Sequence, residues 1–128
     1  MSFVSGISGS LSNVLLGVEN HNGMWDYAGL PGRLPAGSYS LNARMSMAGA
    51  TAAATGWALG RYRFENYKSR KSSKFPTLVW PARADKTRVN AMVGAISLVR
   101  DLINTPAEDM GPSQLALAAR NLAKKFKY

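Results

Sequence analysis

RDLINTPAEDMGP, residues 100–112, lies between two stretches of helical pattern, and its reading decides how the rest of the chain is organised. Asp101, Asn104, Glu108 and Asp109 share these thirteen positions with two prolines and a glycine. Thr105 precedes Pro106, whose ring disfavours the α region for its neighbour, so a helix on the left ends near Asn104. Pro112 follows Gly111 and suits the first turn of a new helix, where its missing N–H leaves no bond unmade. So polar a joint suits a catalytic loop, a metal site or a plain connector between helices, and the flanking sequence has to choose.

On its left, Asp85 can cap a helix over 86–104, whose apolar positions Val89, Met92, Val93, Ile96, Val99 and Ile103 fall on one stripe. This helix is expected to contribute most to the core. On its right, Leu115, Ala118 or Ala119, Leu122 and Phe126 form the stripe of a helix over 112–126, with Lys124, Lys125 and Lys127 at the carbonyl end of its dipole. Further upstream, NVLLGV (13–18) is a β-prone run closed by ENHNG, and a central strand is expected there. GLPGRLPAG (29–37) reads as a proline-ordered surface loop, and SYSLN (38–42) as a half-buried strand with Tyr39 and Leu41 on one face.

Residues 46–68 favour a helix, with Ala53, Ala54, Trp57, Leu59 or Ala58, and Tyr62 recurring at three- and four-residue spacing. Gly49, Gly56 and Gly60 weaken it, and point to a face pressed closely against a sheet. SRKSSK (69–74) is a solvated loop, and TLVW (77–80) a third strand bounded by prolines. The expected fold is α/β: one small mixed sheet flanked by the helices at 46–68 and 86–104, with 112–126 as a terminal connecting helix. Residues 1–104 form the α/β domain and 105–128 the connector and its helix.

The chain has 128 residues, 46% of them hydrophobic, about the length of one domain with a real core. No run approaches the roughly 18 apolar residues of a membrane span. The N-terminus has no basic stretch ahead of its apolar residues, so a cytoplasmic protein is expected. There is no cysteine and one histidine, which excludes zinc clusters of the usual thiolate or multi-histidine kind. The net charge of +9 points first to a polyanion. Arg61, Arg63, Lys68, Arg70, Lys71 and Lys74 against Glu65 alone supply +5 of it. RYRFENYKSRK interleaves aromatics with cations as single-strand nucleic-acid sites do. On a helix, however, its aromatics would point inward and its cations outward, so weak, non-specific nucleic-acid binding is the expectation.

Asp101, Glu108 and Asp109 are the only acidic cluster. A two-metal or general-acid site needs carboxylates converging on one point with a histidine or lysine beside them. Here one lies in a helix and two in the connector, which fits capping and hydrogen bonding at a helix junction. His21, in ENHNG, has no second ligand nearby in sequence and reads as a surface residue. GLPGRLPAG lacks the G-x-x-x-x-G-K pattern of a nucleotide loop. No residue is assigned to catalysis, to a cofactor or to a metal.

VRDLINTPAEDMGPSQLALAARNLA (99–123) resembles the interdomain junction of the leucine (cytosol) aminopeptidase family, and LPAGSYSL (34–41) and GWALGRYRFENYK (56–68) resemble that family's shorter bacterial members in the same order. The resemblance implies that the joint connects a macro-domain-like N-terminal α/β domain to a larger catalytic domain. Family members remove N-terminal residues from peptides with two divalent metals, zinc or manganese, and assemble as hexamers. Their ligand blocks are absent from this sequence, which stops where the catalytic domain is expected to begin, and the family normally has further strands ahead of NVLLGV. The expectation is therefore a partial, non-catalytic N-terminal part of such a metallopeptidase, a fragment or the product of a broken gene, whose partner is the missing catalytic domain. The alternative is a stand-alone basic module that binds nucleic acid or a protein.

Overall fold

The computed structural model describes residues 1–7, 9–19, 23–68 and 74–127. His21 and residues 69–73 of the expected basic loop, with Arg70 and Lys71, lie outside the described residues. The fold is mixed α/β, built from two small sheets and helices. A hairpin pairs β1 (Ser2–Ser5) with β2 (Leu11–Leu15) in antiparallel fashion, Phe3 opposite Val14, with an irregularity between Val4 and Ser5. A short helix α1 (Trp25–Ala28) runs into a single 3₁₀ turn at Leu30–Gly32. Then come β3 (Ser38–Tyr39), α2 (Met47–Gly60), β4 (Thr77–Leu78), α3 (Lys86–Asn104) and α4 (Pro112–Lys125).

The centre of the molecule is the β3–α2–β4 unit. β3 and β4 are parallel, joined by Thr77 N–H donating to Gly37 O and Val79 N–H to Tyr39 O, both at 2.7 Å. Parallel neighbours need a crossover, and α2 supplies it. Ser46 caps α2, its Oγ accepting from Gly49 N–H at 3.0 Å. Alanines then give high helix propensity with little width. α2 is buried almost all round: Ala50, Ala53, Ala54, Thr55, Trp57 and Leu59 are inaccessible, and Trp57 joins Tyr27, Leu30 and Leu34 in the core. Val14, Leu16, Val18, Tyr39 and Leu41 pack around that cluster, so Tyr39 and Leu41 share the inward face expected of SYSLN.

Several expectations need correction. NVLLGV is not central and does not share a sheet with SYSLN and TLVW. Its strand, β2, pairs among the described residues with β1, a strand the weak Ser- and Gly-rich pattern of residues 1–12 did not reveal, and Leu15 is exposed. GLPGRLPAG is not a surface loop, since Leu30, Pro31 and Leu34 are buried and its 3₁₀ turn brings them under Trp57. The tight glycine face of α2 meets a helix rather than a sheet. A Cβ built on Gly56 would stand 1.9 Å from Met24 O, and one on Gly60 1.9 Å from Ala28 O, so the backbone of α1 lies directly on these glycines.

The helix expected over 46–68 stops at Gly60. Guanidinium groups reach its last carbonyls: Arg63 Nη1 donates to Gly60 O at 3.2 Å and Arg100 Nη1 to Leu59 O at 3.1 Å, while Arg63 Nη1 also donates to Tyr62 O, just past the helix, at 2.9 Å. With those acceptors satisfied, continuing the helix through four more ring- and amide-bearing residues gains little. Helix α3 keeps its expected bounds and its cap, Asp85 Oδ1 accepting from Arg88 N–H at 3.0 Å. It does not dominate the core, however. Val89 alone is buried, Met92, Val93 and Ile96 are half-buried, and Val99 and Ile103 are 53% and 76% exposed.

Candidate functional site

The site of interest is the joint that follows α3. Thr105 leaves the helix in an extended conformation, φ −71° and ψ 127°, and its hydroxyl and N–H both donate back to Asp101 O, at 2.6 and 3.0 Å. Asp109 N–H donates to Pro106 O at 2.9 Å, closing a turn, and Pro112 stands at the start of α4. The carboxylates of the joint face tyrosines from the segment after α2. Tyr62 Oη donates to Asp101 Oδ1 at 2.7 Å and accepts from Asn104 Nδ2 at 3.2 Å, while the Arg100 guanidinium lies 5.2 Å above the Tyr62 ring. Tyr67 Oη donates to Asp109 Oδ2.

These contacts tune the phenols in one direction. Tyr67 is raised above the ordinary tyrosine range because its hydroxyl hydrogen is held by the Asp109 carboxylate, with burial and the negative charge of Asp109 and Glu108 acting the same way. Tyr62 is raised chiefly by burial, with the Asp101 bond and charge assisting and Asn104 and Arg100 opposing. A phenol held neutral against a carboxylate is a donor, not a nucleophile, so the arrangement is a pair of latches between the RYRFENY segment and the joint.

The expected junction role of Asp101 and Asp109 thus takes a concrete form, although its partners, the tyrosines, were not foreseen. Glu108 is exposed. Among the described residues there is no group of three or more His, Asp or Glu side chains that could hold a metal ion. Two of the joint's three carboxylates, Asp101 and Asp109, accept phenol donors and the third, Glu108, is exposed, so its residues do not fit a two-metal centre. Two cations of the basic segment are likewise engaged, with an aromatic ring that follows the segment. Arg61 and Arg63 lie 5.9 and 5.7 Å above the Phe75 ring, leaving that ring covered rather than open to a base. Tyr62 and Phe64 are half-buried as expected, but Tyr67 is 55% exposed.

Beyond the joint, α4 carries no buried residue, and Leu115, Leu117, Leu122 and Phe126 are all exposed. Fold and joint together define a small α/β domain with an amphipathic helix appended through a latched connector.

Known proteins share this arrangement. Residues 1–81 match the M17 aminopeptidase N-terminal domain, and the chain belongs to the M17 aminopeptidase family through that domain. A probable cytosol aminopeptidase of Wolinella succinogenes is 35% identical over 90 residues, 59% of this chain and 19% of that protein. Peptidase B of Pectobacterium atrosepticum is 40% identical over 76 residues, 56% of this chain and 17% of that protein. The crystal structure of cytosol aminopeptidase from Coxiella burnetii superposes on 98% of this chain and 28% of its own, with a TM-score of 0.85 and 38% identity. The chain thus spans about a fifth of the length of these curated relatives. Among the described residues no helix is long and apolar enough to cross a membrane.

Proposed function

We propose that residues 1–104 are a partial, macro-domain-like N-terminal domain, that 105–128 are an interdomain connector and helix, and that the chain serves as the non-catalytic N-terminal part of a cytoplasmic leucine-aminopeptidase-type metallopeptidase. In that reading the catalytic domain removes N-terminal residues from peptides, holds two divalent metals, zinc or manganese, and assembles as a hexamer. The metals would supply an activated water and a polarised carbonyl. No ligand to them comes from this chain. Its own residues aim α4 through the Tyr62–Asp101 and Tyr67–Asp109 latches. The observation that carries the reading is α4 itself, whose apolar stripe has a helix's amphipathic pattern but nothing buried against it among the described residues. A catalytic domain is the partner that the family supplies for that stripe.

The test is an assay of the purified chain on a chromogenic leucine amide with added manganese or zinc. No turnover is expected. Activity that survives chelation and repurification, and is lost on replacing Asp101 or Asp109, would put a working site where the latches are and overturn the proposal.

A further inference from the structure

Beyond the carboxyl ends of β3 and β4 lies a cavity of about 460 Å³. Its walls come from residues 41–45, which lead from β3 to α2, from Ala50 on α2, and from residues 81–83, which lead from β4 to α3. β3 and β4 are parallel, so both strands run toward this end of the molecule. In α/β units the crevice outside the carboxyl ends of parallel strands is where ligands sit, because the loops there can vary on a fixed frame. The lining is apolar through Leu41, Met45, Ala50 and Pro81. Among the described residues its charged members are Arg44 and Arg83, and no carboxylate lines it.

These two guanidinium groups are not spent within the chain as others are. Arg61 and Arg63 cover Phe75, and Arg100 covers Tyr62 and donates to Leu59 O. Arg44, in contrast, makes no hydrogen bond or ion pair among the described residues. Arg83 makes one long bond there, Nη1 donating to Met45 O at 3.4 Å, which draws it across from the β4 side to the residue that follows Arg44. Asp85, the acid nearest to Arg83 in sequence, is turned to the start of α3, where Oδ1 accepts from Arg88 N–H at 3.0 Å. Two cations beside one cavity, with no acid among its walls, leave a positive field there that an anion relieves.

We infer that this cavity binds a phosphate monoester carried on an uncharged, apolar body, with Arg44 and Arg83 taking the phosphate and the apolar lining taking the body. A guanidinium presents its N–H donors in a planar fork that matches phosphate oxygens two at a time. A phosphate monoester carries a charge of about −1.5 to −2 at pH 7, which two guanidinium groups neutralise and one does not. The volume selects for the body as well. Ligand pockets span about 300–1,000 Å³, and this cavity falls in that range, whereas a bare phosphate would leave much of it to water. This inference does not depend on the role proposed for α4.

The test is a nuclear magnetic resonance titration of the whole chain with phenyl phosphate, compared with inorganic phosphate, benzoate and phenol. Phenyl phosphate is expected to shift the amides of Ala43, Ala50 and Ala82 saturably. It should bind several-fold more tightly than the other three, which lack the body, the second charge and the anion respectively. Arg44→Gln and Arg83→Gln are each expected to weaken phenyl phosphate about tenfold, the effect of losing one charge-assisted contact. Both side chains are exposed, so the melting curves should stay nearly unchanged. Arg44 has no bond among the described residues to lose, and its variant reads binding alone. Arg120→Gln removes an equal charge from α4 and is expected to leave binding as it is. Four results would each overturn the inference: no saturable shift at those amides, inorganic phosphate binding as tightly as phenyl phosphate, benzoate doing so, or Arg120→Gln weakening binding as much as Arg44→Gln.

Discussion

Replacing Gly56 by alanine tests the helix contact on which the core is built. In an exposed helix interior the change is favourable, because alanine exceeds glycine in helix propensity by about 1 kcal/mol. At Gly56 the new methyl would stand 1.9 Å from Met24 O and 2.9 Å from Met24 C, about 1.5 Å short of the 3.4 Å at which ordinary contact begins. The obstructing atoms are backbone, so no side chain can rotate away, and α1 must lift off α2. Tyr27 lies on α1 and Leu30 just after it, and both pack in the cluster around Trp57. A radial gap of even 0.5–1 Å forfeits about a quarter to a half of each dispersion contact. Overpacking of this kind costs about 1–3 kcal/mol, and the rigid obstruction favours the upper end. After the propensity gain, a net destabilisation of about 2 kcal/mol is expected. Gly94 provides the internal contrast, since it lies in α3 with nothing within 4 Å of the added methyl. Gly94→Ala is expected to stabilise by up to about 1 kcal/mol. Urea denaturation of both variants should move the midpoint in opposite directions, each by about 0.3–2 M for slopes near 1–3 kcal/mol/M. A Gly56→Ala variant as stable as the parent would show that α1 does not rest on α2.

Val89→Ala should cost about 2 kcal/mol or more because Val89 is buried, whereas Ile96→Ala, at a half-buried site, should cost only about 1–2 kcal/mol although it removes more atoms; the reverse order in chemical denaturation would restore α3 as the main core element. Stability should fall as pH rises past about 10, the unfolded tyrosine value. Raised phenols hold their protons in the folded chain after the unfolded chain has lost them, so the stabilisation is whole below that pH and lost through the folded values. Tyr62→Phe with Tyr67→Phe should flatten this alkaline limb in melts followed against pH, and an unchanged limb would count against the latches. Binding to single-stranded nucleic acid should be weak, indifferent to sequence and steeply reduced by salt. A tight, salt-tolerant complex with one oligonucleotide, measured by fluorescence anisotropy, would promote the basic segment to a specific site.

What was legible in the sequence follows the range over which each signal acts. The cap at Asp85, the Thr105–Pro106 break and Pro112 at the start of α4 are set by neighbours a few residues apart, and the structure has them where local chemistry put them. The end of α2 was not legible, because its carbonyls are taken by Arg63 and by Arg100, the latter 41 residues away in sequence. Sheet membership was equally hidden. Alternation in SYSLN identified Tyr39 and Leu41 as facing the core, but neither it nor the β-prone run NVLLGV told which backbone edge each strand pairs through. The glycines within the helix, Gly56 and Gly60 among them, correctly signalled close approach, yet nothing in them distinguishes a helix backbone from a sheet.

The joint shows the same limit from the functional side. Acidic residues in a connector are compatible with caps, metals or acid–base work, and only the partners decide. Here the partners are Tyr62 and Tyr67, 39 and 42 residues from Asp101 and Asp109, so one segment that follows α2 and one that follows α3 fasten each other. Each such bond contributes little to stability, because water competes for both partners. That is a small share of the stability of the β3–α2–β4 unit, whose core is assembled without them. Their effect falls on direction instead. α4 has no buried residue of its own to hold it, so the turn from Thr105 to Gly111 sets where its apolar stripe points. Anchoring that turn at Asp101 and again at Asp109 restrains it at both ends, which reduces the conformational freedom a partner must remove when it covers α4.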